Sequence, residues 1–156
     1  MADSTKVSRR QPAKLSFTDG EVMVTPKDRD IFFISATKAI EACREAIRNE
    51  QGFKQFETEL LIPLHAWCEE HREKVRACYL PRPANNIQVF VVGTSRKYDF
   101  ELGEKLATLE LKLSQAGWRV GISQLPEADD DSLGTFFSPE GALEVYAKRE
   151  QTSVEG

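Results

Sequence analysis

Residues 87–124 decide the fold of this chain, and their sequence is IQVFVVGTSRKYDFELGEKLATLELKLSQAGWRVGISQ. The run Ile87–Val92 is apolar on both of its alternating sides, which is typical of a strand covered on both faces. Asp99 is a suitable N-cap for a helix that continues to Gln115. Trp118–Gln124 then alternates between large apolar residues and polar or small ones, which indicates a strand with one solvent-facing side. We therefore predict a β-α-β unit with two parallel strands and a right-handed crossover.

The segments before this unit predict a hairpin and two helices. The strand-like runs Val22–Thr25 and Ile31–Ile34 predict an N-terminal β-hairpin. Apolar residues at helical spacing over residues 35–79 predict a helical pair packed on the sheet, with Ser35 as an N-cap and Pro63 as the site of a kink. The fold class is therefore predicted as α/β in the mixed α-β sense, with a small mixed sheet around the central parallel βαβ unit.

Both ends of the chain are predicted to lie outside a single folded domain that spans residues 17–150. Residues 1–16 are polar and mostly basic and show no periodicity, so we expect a disordered tail there. Residues 151–156 are expected to fray. Late in the domain, Leu133–Phe137 predicts an edge strand, and Ser138 predicts the N-cap of a last helix.

The composition of the chain excludes several classes of protein. Of its 156 residues, 40% are hydrophobic and 29% are charged, which is ordinary for a globular domain and excludes wholesale disorder. The net charge of −4 provides no global positive field, so neither nucleic acid nor an anionic membrane is an expected partner. Only the N-terminal tail, around Arg9 and Arg10, has the local charge for a contact with nucleic acid or an acidic partner.

The cysteines and the polar N-terminal segment predict a reducing, cytoplasmic setting. Cys43, Cys68 and Cys78 are an odd and sparse set, which does not form a disulfide framework. Residues 1–15 contain no apolar run of the kind found in a signal peptide. No apolar run elsewhere approaches the roughly 20 residues that cross a bilayer, so we expect a soluble protein.

The best-placed candidate for ligand binding is the turn after the central strand, Gly93, Thr94, Ser95, Arg96 and Lys97. It follows the carboxyl end of a strand and precedes a helix, which is where ligands bind in open α/β sheets. The hydroxyls can donate hydrogen bonds, and Arg96 or Lys97 can pair with a phosphate. Against a phosphate site, Asp99 and Glu101 occupy the start of the helix, and no Walker or dinucleotide fingerprint is present. The other interpretation is a simple turn with a solvated basic pair.

Residue types that bind zinc occur together on the predicted second helix, at His65, Cys68 and His71. Their spacing places the two histidines about 120° apart around a straight helix, so one ion cannot easily bind both. Cys68 and His71 also lie in the apolar stripe of that helix, which favours packing over metal binding. Cys43 and Cys78 lie in apolar stripes too, and buried thiols of this kind are usually inert, so a catalytic thiol is not expected.

The acidic run Asp129–Asp131 lacks the alternating spacing and the terminal glutamate of a calcium loop, so we predict a solvated acidic loop. The sequence accordingly predicts no catalytic residue, no metal site and no cofactor.

The helix predicted after Asp99 has apolar residues on two sides. Its core stripe is Leu102, Leu106, Leu109, Leu113 and Ala116. The opposite side presents Phe100, Ala107 and Leu111. Internal packing is the favoured interpretation of this second side, whereas exposure would create an apolar patch of the kind that partners bind.

The leading hypothesis is a non-enzymatic protein-interaction or regulatory domain, with a protein partner or self-association through Phe100 and Leu111. It rests on the second apolar side of the helix and on the lack of a recognisable reaction motif. The alternative is a small domain or enzyme that binds a phosphate- or nucleotide-bearing anionic ligand at residues 93–97.

Overall fold

The computed structural model describes residues 11–41, 50–84 and 86–148. The strands in these ranges are β1 (Ala13–Thr18), β2 (Glu21–Val24), β3 (Val75–Leu80), β4 (Ile87–Gly93), β5 (Val120–Leu125) and β6 (Leu143–Ala147). The helices are α1 (Arg29–Glu41), α2 (Glu50–Gln55), α3 (Ile62–Glu70), α4 (Phe100–Gln115) and α5 (Asp130–Leu133). A π-helical stretch, Phe56–Leu61, connects α2 to α3. In the described ranges, no helix has the combination of length and apolar character that crossing a membrane requires.

The strands form one mixed sheet in the order β2-β1-β6-β3-β4-β5. Strands β4 and β5 run parallel, with Val89 opposite Ile122, and α4 connects them. This confirms the predicted parallel β-α-β unit. Strands β1 and β6 are also parallel, whereas β3 is antiparallel to both of its neighbours. The predicted fold class, a mixed α-β domain with a small mixed sheet, is therefore confirmed.

The two faces of the sheet have separate apolar clusters. The larger cluster joins the sheet to the helices and includes Phe56, Leu64, Val89 and Leu102. On this face, the buried Trp118 donates its indole N–H to Glu59 of the π-helical stretch at 3.2 Å. The smaller cluster on the other face is built from residues of β3, β4 and β5 together with the segment that follows β5. The larger cluster therefore lies between the sheet and the helices on one face, and the segment after β5, which contains the short helix α5, covers part of the other face.

The N-terminal hairpin forms earlier in the chain than predicted. Strands β1 and β2 pair around a two-residue turn in which Asp19 and Gly20 both have positive φ, which matches the twist of a tight hairpin. The predicted second strand, Ile31–Ile34, lies inside α1, so that assignment is wrong. Ser35 is likewise not an N-cap: it is buried within α1, and its hydroxyl has no hydrogen-bond partner. Residues 13–16, which were expected to belong to a disordered tail, instead form the first part of β1, which pairs with β6.

The predicted second helix is too long, because it ends at Glu70 and residues 75–80 form β3. Pairing with β4 and β6 on both sides overrides the helical spacing of the apolar residues in this segment. The predicted interruption at Pro63 takes the form of the π-helical stretch, which precedes the proline at the first turn of α3. A π-helical turn is one of the recognised ways in which a helix changes direction.

The C-terminal assignments are also corrected. Leu133–Phe137 is not a strand, since α5 ends at Leu133 and a turn follows. Ser138 precedes only a three-residue 3-10 turn, after which the chain continues as β6 instead of a helix. A bulge in β6 explains why this strand was missed: Cys78 is opposite Tyr146 and Tyr79 is opposite Glu144, which leaves Val145 as an extra residue. The alternation that marks a strand is therefore interrupted.

Candidate functional site

Helix α4 begins at a capped and ion-paired N-terminus. The Asp99 side chain accepts a hydrogen bond from the Leu102 N–H at 3.0 Å, as an N-cap does. Lys74 lies 2.6 Å from Glu101 and 3.5 Å from Asp99. The Leu102 N–H, and then Lys74, lower the pKa of Asp99, and the hydrogen bond to Lys74 lowers the pKa of Glu101. The protein's own carboxylates thus complement the positive end of the helix dipole.

The predicted ligand turn is exposed except for its first residue. Gly93 is buried, whereas Thr94, Ser95, Arg96 and Lys97 are exposed. Three backbone N–H groups around the turn are bonded within the protein: Thr94 to the Lys74 carbonyl, Lys97 to the Ser95 hydroxyl, and Asp99 to the Gln124 side-chain oxygen. These amides are therefore not directed at a common ligand position, as an anion site requires. The ligand hypothesis for this turn stays a prediction.

The outward side of α4 carries an exposed apolar surface. The side chain of Phe100 is 77% exposed and that of Leu111 is 59% exposed, and Ala107 between them is also exposed. The favoured interpretation of these residues as internally packed is therefore wrong. Tyr98, just before the helix, is 54% exposed, and its ring meets that of Phe100 edge-on at 4.9 Å. We call Tyr98, Phe100, Ala107 and Leu111 the α4 stripe.

Sequence reasoning missed Tyr98, although Gly103 provides a signal. A Cβ atom at Gly103 would overlap the Tyr98 hydroxyl, so the glycine leaves the space in which the tyrosine ring lies over the first turn of α4. A glycine inside a well-capped, leucine-rich helix is unfavourable for the helix, which indicates that a neighbouring group needs the room.

The α4 stripe lies next to the free edge of the sheet. Strand β5 ends the sheet, and Glu110 accepts a hydrogen bond from the outward-pointing N–H of Ile122 at 3.2 Å. Glu110 precedes Leu111 by one residue, so the side of α4 that faces this edge adjoins the stripe. The Glu110 carboxylate covers a backbone donor to which an added strand would otherwise bind.

The histidines and cysteines considered as zinc ligands are engaged in packing. His71 donates a hydrogen bond from Nδ1 to the Trp67 carbonyl at 2.8 Å, and its ring stacks on the Trp67 ring. His65 stacks on Phe17 at 4.1 Å, and burial lowers its pKa. Cys68 is fully buried. Within residues 11–41, 50–84 and 86–148, no three His, Cys, Asp or Glu side chains are grouped closely enough to hold a metal ion.

The remaining candidates have structural roles or lie outside the described residues. Cys78 is buried, and a hydrogen bond with Cys68 together with burial raises the pKa of its thiol. Asp129, the first residue of the acidic run, accepts a hydrogen bond from the Ser132 N–H at 2.9 Å and so caps α5. Cys43 and the basic residues Arg9 and Arg10 lie outside the described residues.

Among the surfaces in the described ranges, the α4 stripe has the clearest geometry for binding another molecule. Comparison of the chain with protein-family models, with curated protein sequences and with solved structures gives no match.

Proposed function

We propose that this chain is a non-enzymatic protein-interaction domain that associates with a second copy of itself through the α4 stripe. The observation that carries the proposal is the exposure of Phe100 and Leu111 on one side of a helix whose other side is buried. Apolar side chains grouped in this way are typical of association surfaces. Aromatic residues such as Tyr98 are enriched at the centres of such surfaces.

A second copy fits this surface in an antiparallel, two-fold arrangement centred close to Ala107. Helix α4 has 16 residues and is therefore about 24 Å long, with Ala107 near its middle. Antiparallel packing around that point brings Leu111 against the ring of the partner's Tyr98, which lies over the partner's Gly103. The small side chain of Ala107 at the centre allows the helices to approach closely. A two-fold interface needs a self-complementary patch of this kind.

The charges that flank the stripe favour the same arrangement. Glu101 and Glu104 lie in the first half of α4, and Lys112 lies in its last turn. Antiparallel packing brings Glu104 close to the partner's Lys112, and it also opposes the two helix dipoles. A parallel arrangement would instead align the two helix dipoles. The proposal therefore specifies the direction of the helices as well as the surface.

Strand addition at β5 is the less favourable way for two copies to associate. Glu110 covers the Ile122 N–H at this edge, so pairing of two β5 strands must first displace a carboxylate and leave it without its donor. Association through the helix leaves this contact intact. A helix-only interface is small, so we expect a weak dimer, with a Kd of roughly 10–100 µM.

Sedimentation velocity over a range of about 1 µM to about 500 µM tests this proposal. The wild-type chain should convert from monomer to dimer, and the double variant Phe100→Ser with Leu111→Ser should weaken the Kd at least tenfold. Met23→Ser is the matched control, because Met23 on β2 is 53% exposed and far along the sheet from β5. A wild-type chain that stays monomeric throughout, or equal losses in control and stripe variants, overturns the proposal.

A charge exchange tests the antiparallel direction. Glu104→Lys and Lys112→Glu, made singly, should each weaken the dimer, because each places like charges opposite one another. The double exchange should restore the wild-type Kd to within about twofold. If the two single variants weaken the dimer and the double variant does not restore the Kd, the antiparallel arrangement is contradicted.

A further inference from the structure

A second surface with a defined chemistry lies on the face of the sheet opposite α4. A groove of about 560 Å³ opens there between β4, the segment after β3 and the turn before β6. Its walls include Arg82, Gln88, Phe90, Phe136 and Phe137. The volume falls within the range of small-molecule sites. This groove shares no residue with the α4 stripe, so the inference does not depend on the proposed function.

Aromatic rings form one wall of the groove. Phe137 stacks on Phe90 with ring centroids 5.4 Å apart and an interplanar angle of 16°. The Tyr79 ring packs against Phe137 at a tilt, with the two ring centroids 5.2 Å apart. Phe136, the neighbour of Phe137, is 48% exposed and also lines the groove. These contacts hold a flat apolar surface in place, and such a surface favours a planar ring as its occupant.

A positively charged group lies at the edge of this wall. The Arg82 guanidinium packs directly on the backbone of Gly141, because a Cβ atom there would come within 3.3–3.5 Å of three of its atoms. Gly141 leaves room for this contact, which a side chain there would shift by a few tenths of an ångström. Arg82 is exposed, so its guanidinium is accessible to present paired N–H donors to a carboxylate.

We propose that this groove binds a planar aromatic carboxylate, with the ring against Phe136 and Phe137 and the carboxylate on Arg82. Glu140 and Gln88 also line the groove, and the Gln88 side-chain amide donates to the Ser123 hydroxyl at 3.2 Å. The groove is open on one side, so we expect a Kd on the order of 0.1–1 mM.

The experiment is a titration of the isotope-labelled full chain with 2-naphthoate, followed by amide chemical shifts. Saturable shifts should appear at Gln88, Phe137 and Gly141. Arg82→Gln should weaken binding at least tenfold, whereas Arg96→Gln, an exposed arginine of the β4–α4 turn, should leave it unchanged.

Two analogues test the contribution of the aromatic ring and that of the carboxylate separately. Naphthalene-2-carboxamide has the ring without the charge, and cyclohexanecarboxylate has the charge without the aromatic ring. Both should bind at least fivefold more weakly than 2-naphthoate. The proposal is overturned by shifts that do not saturate, by equal affinity for the amide, or by shifts centred on the α4 stripe. None of these outcomes bears on dimer formation, which sedimentation measures separately.

Discussion

Gly103 and Tyr98 are two residues whose conformations depend on each other. The absence of a side chain at Gly103 lets the Tyr98 ring lie over the first turn of α4, where it contacts Phe100. Glycine inside a helix is destabilising by roughly 1 kcal/mol relative to alanine. Gly103 thus lowers the stability of α4 at the position where the exposed Tyr98 and Phe100 rings contact each other.

Gly103→Ala should therefore raise stability and weaken self-association at the same time. The new methyl group displaces the ring of Tyr98, which is largely exposed and moves at little cost, so unfolding should require about 0.5–1 kcal/mol more. The displaced ring no longer contributes to the α4 stripe, so the dimer Kd should rise severalfold. Urea denaturation and sedimentation measure the two effects. Thr37→Ala, which improves helix propensity in α1 away from the α4 stripe, should stabilise the chain without changing the Kd.

Asp99 combines an N-cap with an ion pair, and the two roles respond differently to substitution. Its pKa is held below the ordinary value of 3.8, first by the Leu102 N–H and then by Lys74. A carboxyl whose folded pKa is depressed stabilises the protein above its unfolded pKa. This stabilisation is fully present above the unfolded pKa, near pH 4, and it is lost as the pH falls from there through the lower folded value.

Asp99→Ala should lower the Tm at pH 7 by about 2–4 °C because the cap is lost. Asp99→Asn keeps an acceptor for the Leu102 N–H, so its Tm at pH 7 should stay near that of the wild type. The asparagine variant should also lose less stability than the wild type between pH 5 and pH 3, a window set by the depressed pKa. Thermal unfolding at several pH values measures both. Identical pH profiles for wild type and Asp99→Asn would exclude this role for the carboxyl.

At the scale of elements, the contact between α4 and β5 protects the edge of the sheet. Glu110→Ala should leave the Ile122 N–H uncovered and make the edge available to strands of other molecules. We expect faster growth of thioflavin-binding aggregates on incubation near the Tm. Glu70→Ala removes the same charge from the exposed end of α3, away from the α4 stripe, and should aggregate at the wild-type rate. Equal acceleration in both variants would attribute the effect to net charge instead of the edge.

The elements that were predicted correctly are those specified by nearby residues. Helix α4 follows from the Asp99 cap and the leucine spacing, and the parallel strands follow from their own apolar patterns and from the connection between them. Strands β3 and β6 were missed because pairing partners far along the chain specify them. A helix-like apolar spacing hides β3, and the bulge at Val145 disrupts the alternation of β6.

The candidate site was predicted only in part, for the same physical reason. Helical geometry alone places Phe100 and Leu111 on one side of α4, and the sequence identifies them. Whether another element covers that side depends on tertiary packing, and the apolar spacing of a single helix does not specify it. The aromatic groove was not foreseen at all, because Arg82 and Phe137 are brought together by the sheet.

For the whole molecule, the buried thiols provide a measure of global unfolding. Cys68 and Cys78 are both fully buried, and the raised pKa of Cys78 disfavours its reactive thiolate. In a Cys43→Ser background, native protein at pH 8 should react with a thiol reagent only at the rate of global opening. Protein in concentrated guanidinium should react with two equivalents within seconds to minutes. Rapid native labelling would contradict a closed core around these residues.

The position of β6 affects how the chain assembles. Leu143 pairs directly with Ala13, so the final strand of the described sequence fills the space between β1 and β3. During translation, the β1–β2 hairpin and the β3–β4–β5 sheet therefore emerge as two fragments whose facing edges have no partner until residues 143–147 are made. Contacts between such distant residues give the chain a high contact order, which slows folding. The nascent chain consequently exposes the facing edges of β1 and β3 until residues 143–147 are made, and early termination leaves both edges open to aggregation.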